Sequence, residues 1–410
     1  MTCSGASAPR GSLWRMVLSA LLSALLPLLL LALATLPGGA AEERLMPWRY
    51  AQALQAVHEQ LARGDRAAWR TRARLIRHMG AAFAEMPAAT WRNKRNAQAL
   101  LIYLLSGGDP APARRLLSRG VKLPLPEGAL EGALAYAEGR NGAAWKRLGM
   151  VPLEELSTSL RAQMLLARAS LQASTHPRKA LKLLDRVRLL APGTLLEESA
   201  LRRGMSLAGN EGDAKRFAVL ANAYMRRFPR SYYMANFLHR AAWLLAQLDH
   251  GPEQRPLNRL LPSLKRLRKR QQALLLALVA REAVIVGKRS LTVLAGRKAL
   301  ALNAGTAAFR ARVRTWMAAA RVVSPSPEPA LRTLRAVDAS LLSPDDRRLR
   351  DAAMLVARGI LAEPRPAPVA SKEGGQRRKP GTSGKDEDLP IIRQARAAVA
   401  EVAKLLEKSR

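Results

Sequence analysis

The 410-residue sequence contains a single cysteine, Cys3, and this scarcity limits the chemistry open to the protein. Cys3 precedes a long apolar stretch and is lost if that stretch is removed as a leader. A chain without thiols has no disulfide, no thiolate metal ligand and no cysteine nucleophile. Such a chain is compatible with an oxidising compartment but does not require one.

Aromatic residues make up only 4% of the chain, and β-branched residues are also sparse. Ala, Leu and Arg dominate instead, and this mixture favours helix over strand. The length accommodates two or three ordinary domains, or one helical solenoid with appendages.

Acidic residues are also scarce, because 31 Asp and Glu stand against 68 Lys and Arg, giving a formal net charge of +37. Three explanations compete: a nucleic-acid surface, attraction to an anionic envelope component, and the Arg- and Ala-rich composition of a proteome with high-GC coding. The charge is spread along the predicted helices rather than held in one arm, which favours the compositional explanation. Net charge bears on solubility and non-specific attraction, not on fold.

The densest basic run, at 265–270, is the candidate partner-binding patch. Such a run is more often a solvated helix face, and the sequence alone leaves both interpretations open. The cationic residues of the run are Lys265, Arg266, Arg268, Lys269 and Arg270.

Residues 1–41 have the three parts of a secretory signal peptide: arginines, an apolar stretch at 17–36, and small residues up to Ala41. We expect cleavage after Ala41. An uncleaved anchor competes, since the apolar stretch is near the minimum length for a bilayer span, although Pro27 within it favours cleavage. Both interpretations predict export to the periplasm and disfavour a nucleic-acid partner, and cleavage leaves no stable membrane span.

The stretch from 176 to 243 repeats itself at an offset of about 37 residues, in the range of helical-hairpin repeats. The matched positions are Ala180, Leu183, Leu184, Val187, Ala191 and Pro192 in one copy and Phe217, Leu220, Ala221, Tyr224, Phe228 and Pro229 in the next. Thr194 and Glu197 have the capping-box spacing of a helix start, Ser231 occupies the position matching Thr194, and Ser157 begins a weaker third copy. These patterns predict an all-α fold, an α-solenoid of tetratricopeptide-like helical hairpins.

The remaining composition predicts a division into regions. Residues 42–150 form an N-terminal helical region and residues 151–362 the solenoid, whose last helix starts with Ser343 as its N-cap. Residues 363–390, rich in Pro, Gly, Ser and mixed charge, are expected to form a disordered linker. The linker leads to an amphipathic helix at 391–410, which either docks on the solenoid or binds a partner.

No catalytic set emerges from the sequence. The five histidines are scattered without metal-ligand spacing, and no HExxH, GxSxG, P-loop or GxGxxG motif occurs. Periplasmic murein lyases with a helical superhelix end in a lysozyme-like domain, for which the chain after Ser343 offers neither length nor residues. We therefore expect no enzyme, no metal and no cofactor.

Four segments, taken in order behind the predicted signal peptide, resemble the MotC family of periplasmic flagellar-motor proteins. The segments are residues 95–97 with 103–108, residues 131–140, residues 189–195 with 197–203, and residues 226–231. The resemblance extends over most of the chain from about Pro47 to Leu361. It implies a non-enzymatic periplasmic protein required for flagellar rotation, with the periplasmic part of the stator subunit MotB as its partner.

An alternative from another class is a general envelope scaffold, whose cationic solenoid adheres to acidic polymers or assembles a secretion or polysaccharide complex. A nucleic-acid-binding protein is a third possibility, but it requires exposure to the cytoplasm.

Overall fold

The computed structural model describes residues 45–252 and 255–362. The described residues contain 17 α-helices and no strand, which confirms the all-helical fold. The predicted signal peptide with its cleavage site at Ala41, the linker at 363–390 and the helix at 391–410 lie outside the described residues. The described residues from Pro47 onward belong to one compact unit, and the sequence-based boundary near residue 150 stays a prediction.

The helices follow one another with short connections. The first eight are α1 Pro47–Arg63, α2 Ala67–Glu85, α3 Lys94–Leu105, α4 Ala111–Ser118, α5 Ala129–Ala137, α6 Asn141–Met150, α7 Thr158–Gln172 and α8 Pro177–Leu190. The others are α9 Leu195–Asn210, α10 Ala214–Arg227, α11 Met234–Gln247, α12 Pro256–Leu264, α13 Lys269–Ile285, α14 Arg289–Ala301, α15 Ala307–Ala319, α16 Glu328–Ala336 and α17 Pro344–Leu361.

Helices that alternate along the chain form a row. Helices α7, α9, α11, α13 and α15 each contact the next member of the same row, and α3 extends this row by packing on α7. The second helices of the hairpins, such as α8, α10 and α14, pack against their own first helices. Each hairpin buries its apolar face on neighbouring hairpins, which is the arrangement of a helical solenoid.

The predicted repeat is visible in the helix bounds, since α8 and α10 begin 37 residues apart, at Pro177 and Ala214. The predicted start of α9 is confirmed, because Thr194 is its N-cap and the Thr194 hydroxyl accepts the Glu197 N–H at 3.5 Å. The second bond differs from that of a capping box, since the Glu197 carboxylate accepts the Gly193 N–H at 2.6 Å rather than the Thr194 N–H. Ser231 does not cap a helix as Thr194 does, because α11 begins later, at Met234. The Ser231 hydroxyl instead donates a hydrogen bond to a buried carboxylate.

That carboxylate is Glu198 of α9, which is fully buried. It accepts hydrogen bonds from the Tyr224 hydroxyl at 2.6 Å and from Ser231 at 3.4 Å, and it pairs with Arg202 at 3.2 Å. Burial and the negative charge of Glu198 raise the pKa of Tyr224, so the phenol stays a donor. The buried acid is therefore a satisfied structural group that joins α9 to α10 and to the α10–α11 turn.

The sequence does not predict the position of the first hairpin. Its helix α1 packs along α3 and reaches α9. Gln55 donates to the Ser159 hydroxyl at 2.7 Å, and the Tyr232 N–H donates to the Leu61 carbonyl at 3.1 Å. The rings of Trp69 and Tyr232 stack with centroids 5.4 Å apart. The first contact joins α1 to α7, and the other two join α1 and α2 to the α10–α11 turn, far along the chain.

Three local patterns in the sequence predict helix positions that differ from the structure. The apolar spacing predicts a helix from Trp91, but α3 begins at Lys94, because the Asn93 side chain accepts the Arg95 N–H at 2.9 Å and caps the helix. The serines and prolines at 324–329 predict a linker, but this stretch already contains the start of α16 at Glu328. The sequence pattern predicts no helix at α12, which carries an internal proline, Pro262.

Candidate interaction surface

The predicted basic run lies between α12 and α13 and in the first turn of α13. Its five cationic residues are all exposed, and its one apolar member, Leu267, is buried. Within the described part of the chain, none of the five cations forms a salt bridge. The run is thus a solvated surface that fixes the turn through Leu267, and its role in partner binding stays a prediction.

The structure assembles a second cationic surface, which we call the arginine cavity. It is an open cavity of about 1080 Å³, and its cationic lining residues are Lys288, Arg289, Arg297 and Arg321. The cavity lies where α11, α13 and α15 end, because the first helices of successive hairpins run in the same direction. Each of these three helix ends contributes to its wall.

The turn between α13 and α14 places two of the four cations. Gly287 has φ +71°, and the Lys288 N–H donates to the Ala283 carbonyl at 2.8 Å while the Gly287 N–H donates to Val284 at 3.2 Å. This pair of bonds is a Schellman motif, which ends a helix at a left-handed residue. The chain reverses at once, so that Lys288 and Arg289 begin α14 at the mouth of the cavity.

The other two cations come from one face of α14 and from the end of α15. Arg289, Val293 and Arg297 are spaced by four residues, which places them on the same face of the helix. Arg321 follows the last turn of α15, and its backbone N–H donates to the Ala318 carbonyl at 2.8 Å. Because α14 and α15 are packed neighbours joined by a short connection, the end of α15 meets the start of α14.

The acid in the cavity wall is neutralised by a cation of its own. Asp249 is 2% exposed and pairs with Arg255, 7% exposed, at 3.0 Å. The same guanidinium donates to the Ser290 hydroxyl at 2.9 Å and so ties the end of α11 to the start of α14. Within the described residues, none of the four cavity cations has a carboxylate partner.

The electrostatics of the cavity reflect this lack of counter-charge. Burial lowers the pKa of Arg321, and the positive charges of Arg297 and Arg289 lower it further. Lys288 and Arg289 also lie at the start of α14, where the helix dipole disfavours cations and no acid occupies the first turn. Folding therefore brings cations together without a compensating charge from the described residues, and an anion in the cavity would relieve their repulsion.

This arrangement suits binding rather than bond-making. Guanidinium groups donate in a planar fork that matches carboxylate and phosphate oxygens, and they neither accept protons nor attack at neutral pH. In the described part of the chain, no group of three His, Cys, Asp or Glu side chains is placed to hold a metal ion.

Sequence reasoning missed the arginine cavity and selected the basic run instead. The eight-residue spacing of Arg289 and Arg297 signals a shared helix face and could have pointed to half of the site. Arg321 lies 24 residues further along and joins them only through the packing of α15 on α14. A dense run is visible in a sequence, whereas a cluster that forms only when α15 packs on α14 is not.

Among the described residues, no helix combines the length and the apolar character that crossing a bilayer requires.

Comparisons with known proteins agree over nearly the whole chain. The family model described as "Chemotaxis protein MotC" matches residues 12–410. The curated "Chemotaxis protein MotC" of Rhizobium meliloti (strain 1021) is 29% identical over 344 residues, which cover 82% of this chain and 78% of the relative.

Proposed function

Because the chain belongs to the MotC family of chemotaxis proteins, we propose that it is a non-enzymatic periplasmic protein required for flagellar rotation. In this proposal the leader is cleaved after Ala41, and the mature chain binds the periplasmic part of the stator subunit MotB. The observation that carries the proposal is the match of the family model to residues 12–410, which confirms the family expected from the sequence segments.

The architecture supports a scaffold. Hairpins that stack on one another and are crossed by α1 give a body with many buried contacts and long exposed helix faces. Repeat proteins of this kind use their extended surfaces to bind other proteins. Two exposed cationic surfaces, the basic run and the arginine cavity, are available for a partner of opposite charge.

The mechanism follows from binding thermodynamics. A stator presses on the cell wall and resists torque, so a rigid helical body that binds one stator conformation more tightly than another would raise the population of that conformation. The shift cannot exceed the difference between the two binding free energies. The protein would thus favour the working form of MotB without making or breaking a bond.

Deletion of this protein from its host tests the proposal. We expect cells that assemble flagella but do not rotate them, with an unchanged envelope, and rotation restored by the wild-type chain. Cells that swim normally but have an altered envelope or capsule would contradict the motor function and support the general envelope scaffold.

A further inference from the structure

We propose that the arginine cavity is the docking site for an acidic peptide segment of a protein partner. The proposal deepens the proposed function, on which it rests, because it assigns the partner contact to a particular surface and a particular ligand chemistry.

The charge pattern is the first argument. Arg289 and Arg297 are exposed, Lys288 and Arg321 are half-buried, and the acid in the wall, Asp249, is already paired with Arg255. Four cations that share one cavity, with no carboxylate partner of their own among residues 45–252 and 255–362, repel each other, and Arg289 is also opposed by the dipole of α14. Because mutual repulsion and the helix dipole both disfavour these charges, the cluster points to a ligand that supplies negative charge.

The lining of the cavity argues for a peptide rather than a free anion. Val293 and Leu294, both half-buried, lie between the cations on α14 and give the floor an apolar strip. A bare phosphate leaves that strip uncovered, whereas apolar side chains flanking the acids of a peptide would cover it. The cations also come from the start of α14, the body of α14 and the end of α15, so they match carboxylates spaced along an extended segment better than the oxygens of one small ion.

The experiment measures the affinity of the purified chain for a fluorescently labelled peptide in which Glu and Asp alternate with Leu, by fluorescence anisotropy at low ionic strength. A peptide with Gln and Asn in place of the acids is the ligand control. We expect saturable binding of the acidic peptide, weakened by added salt, because screening acts on the charge contacts.

The test variant is R289E/R297E, and the matched control is K265E/R266E in the basic run. Both variants change the net charge by the same amount at exposed positions. We expect R289E/R297E to weaken peptide binding by about tenfold or more while K265E/R266E changes it by less than about threefold. Since Arg289 lies at the unfavourable end of the α14 dipole, R289E/R297E should also unfold at the same Tm as the parent or higher.

Five results would overturn the proposal. In the first, the acidic peptide and its uncharged control bind equally, or neither binds. In the second, K265E/R266E loses binding and R289E/R297E keeps it, which moves the contact to the basic run. In the third, inorganic phosphate competes as strongly, at equal concentration, as the unlabelled peptide, which makes the cavity a general anion site.

The fourth result concerns the only three consecutive acids of this chain, Asp386, Glu387 and Asp388, which lie outside the described residues. If D386N/E387Q/D388N tightens peptide binding about tenfold, the occupant is the chain's own segment rather than a partner. If MotB binds the chain while R289E/R297E leaves that binding unchanged, the proposed function stands and only the docking site fails.

Discussion

His58 and Asp346 show how the folded chain fixes the protonation of single side chains. The His58 Nε2 atom accepts a hydrogen bond from Arg72 Nε at 3.1 Å, which requires a neutral ring. Burial, and then the charge of Arg72, lowers the pKa of His58 to about 4. At Asp346, hydrogen bonds from Ser343, Trp316 and Arg312 outweigh the opposing effect of burial and lower the pKa of the carboxyl.

The His58 pKa predicts a pH dependence of stability. Below about pH 6.5 the unfolded histidine takes up a proton that the folded one refuses, so folding stability falls as the pH drops from 6.5 toward 4. We expect the free energy of unfolding to decrease by about 2 kcal/mol from this residue between pH 7 and pH 5. Urea denaturation of the parent and H58Q at both pH values measures it, with H176Q as the control for an exposed histidine. A parent and H58Q with the same pH dependence would contradict the assignment.

The Asp346 network predicts a large effect of a small substitution. The carboxylate is buried and accepts from Trp316 Nε1 at 2.7 Å, Arg312 Nε at 2.6 Å and the Ser343 hydroxyl at 2.6 Å. In D346N the side-chain amide N–H group faces hydrogen-bond donors, and Arg312 loses its counter-charge. We therefore expect the free energy of unfolding to fall by about 3 kcal/mol at pH 7.

The neighbouring carboxylate supplies the control for D346N. Asp345 is exposed and pairs only with Arg348 of the same turn, so D345N should cost less than about 1 kcal/mol. Because the pKa of Asp346 is depressed, its contribution is complete above about pH 4 and is lost as the pH falls through the folded pKa. Chemical denaturation of both variants measures the difference, and equal losses would refute the network.

Among the elements, the α1–α2 hairpin depends on one close backbone approach. Gly64 ends α1 with φ +97°, and a Cβ atom there would overlap the carbonyl oxygen of Arg230 in the α10–α11 turn. The same turn donates the Tyr232 N–H to Leu61. The hairpin therefore sits on the later hairpins because a residue without a side chain allows the two backbones to meet.

Substitution of Gly64 tests this docking. G64A should strain the left-handed backbone and also push the hairpin away from Arg230, so we expect a loss well above the cost of the φ angle alone. Gly139 has φ +73° and open space where a methyl group would be added, so G139A measures the cost of the positive φ angle without a steric clash. We expect that cost to be about 1 kcal/mol. Hydrogen exchange should show α1 amides exposed in G64A and protected in G139A. Equal protection in both variants would mean that the close approach does not hold the hairpin.

The periodicity of the sequence predicted the elements better than their long-range contacts. The helix with Ser343 as N-cap was predicted correctly because its start signals are local: the Asp346 N–H donates to the Ser343 hydroxyl at 3.2 Å. The crossing of α1 onto the α10–α11 turn joins residues far apart in sequence, so no local pattern encodes it. Helices with an internal or early proline, such as α12 and α16, were missed because proline is normally a helix breaker.

Over the whole molecule, the net charge of +37 is the property that bears most on partners. A sequence conveys the total but not the places where charge remains uncompensated after folding. The structure separates a solvated basic run from a cavity in which Arg297 and Arg321 find no counter-charge in the described part of the chain. Attraction to an acidic partner should therefore come from a defined surface and weaken with salt.

Binding of the purified chain to the purified periplasmic region of MotB, measured by titration calorimetry at low and at physiological salt, tests the central claim most directly. We predict saturable binding with a defined stoichiometry, tighter at low salt because the cationic surface is then least screened. No binding at low salt, where that surface should help most, would contradict the account.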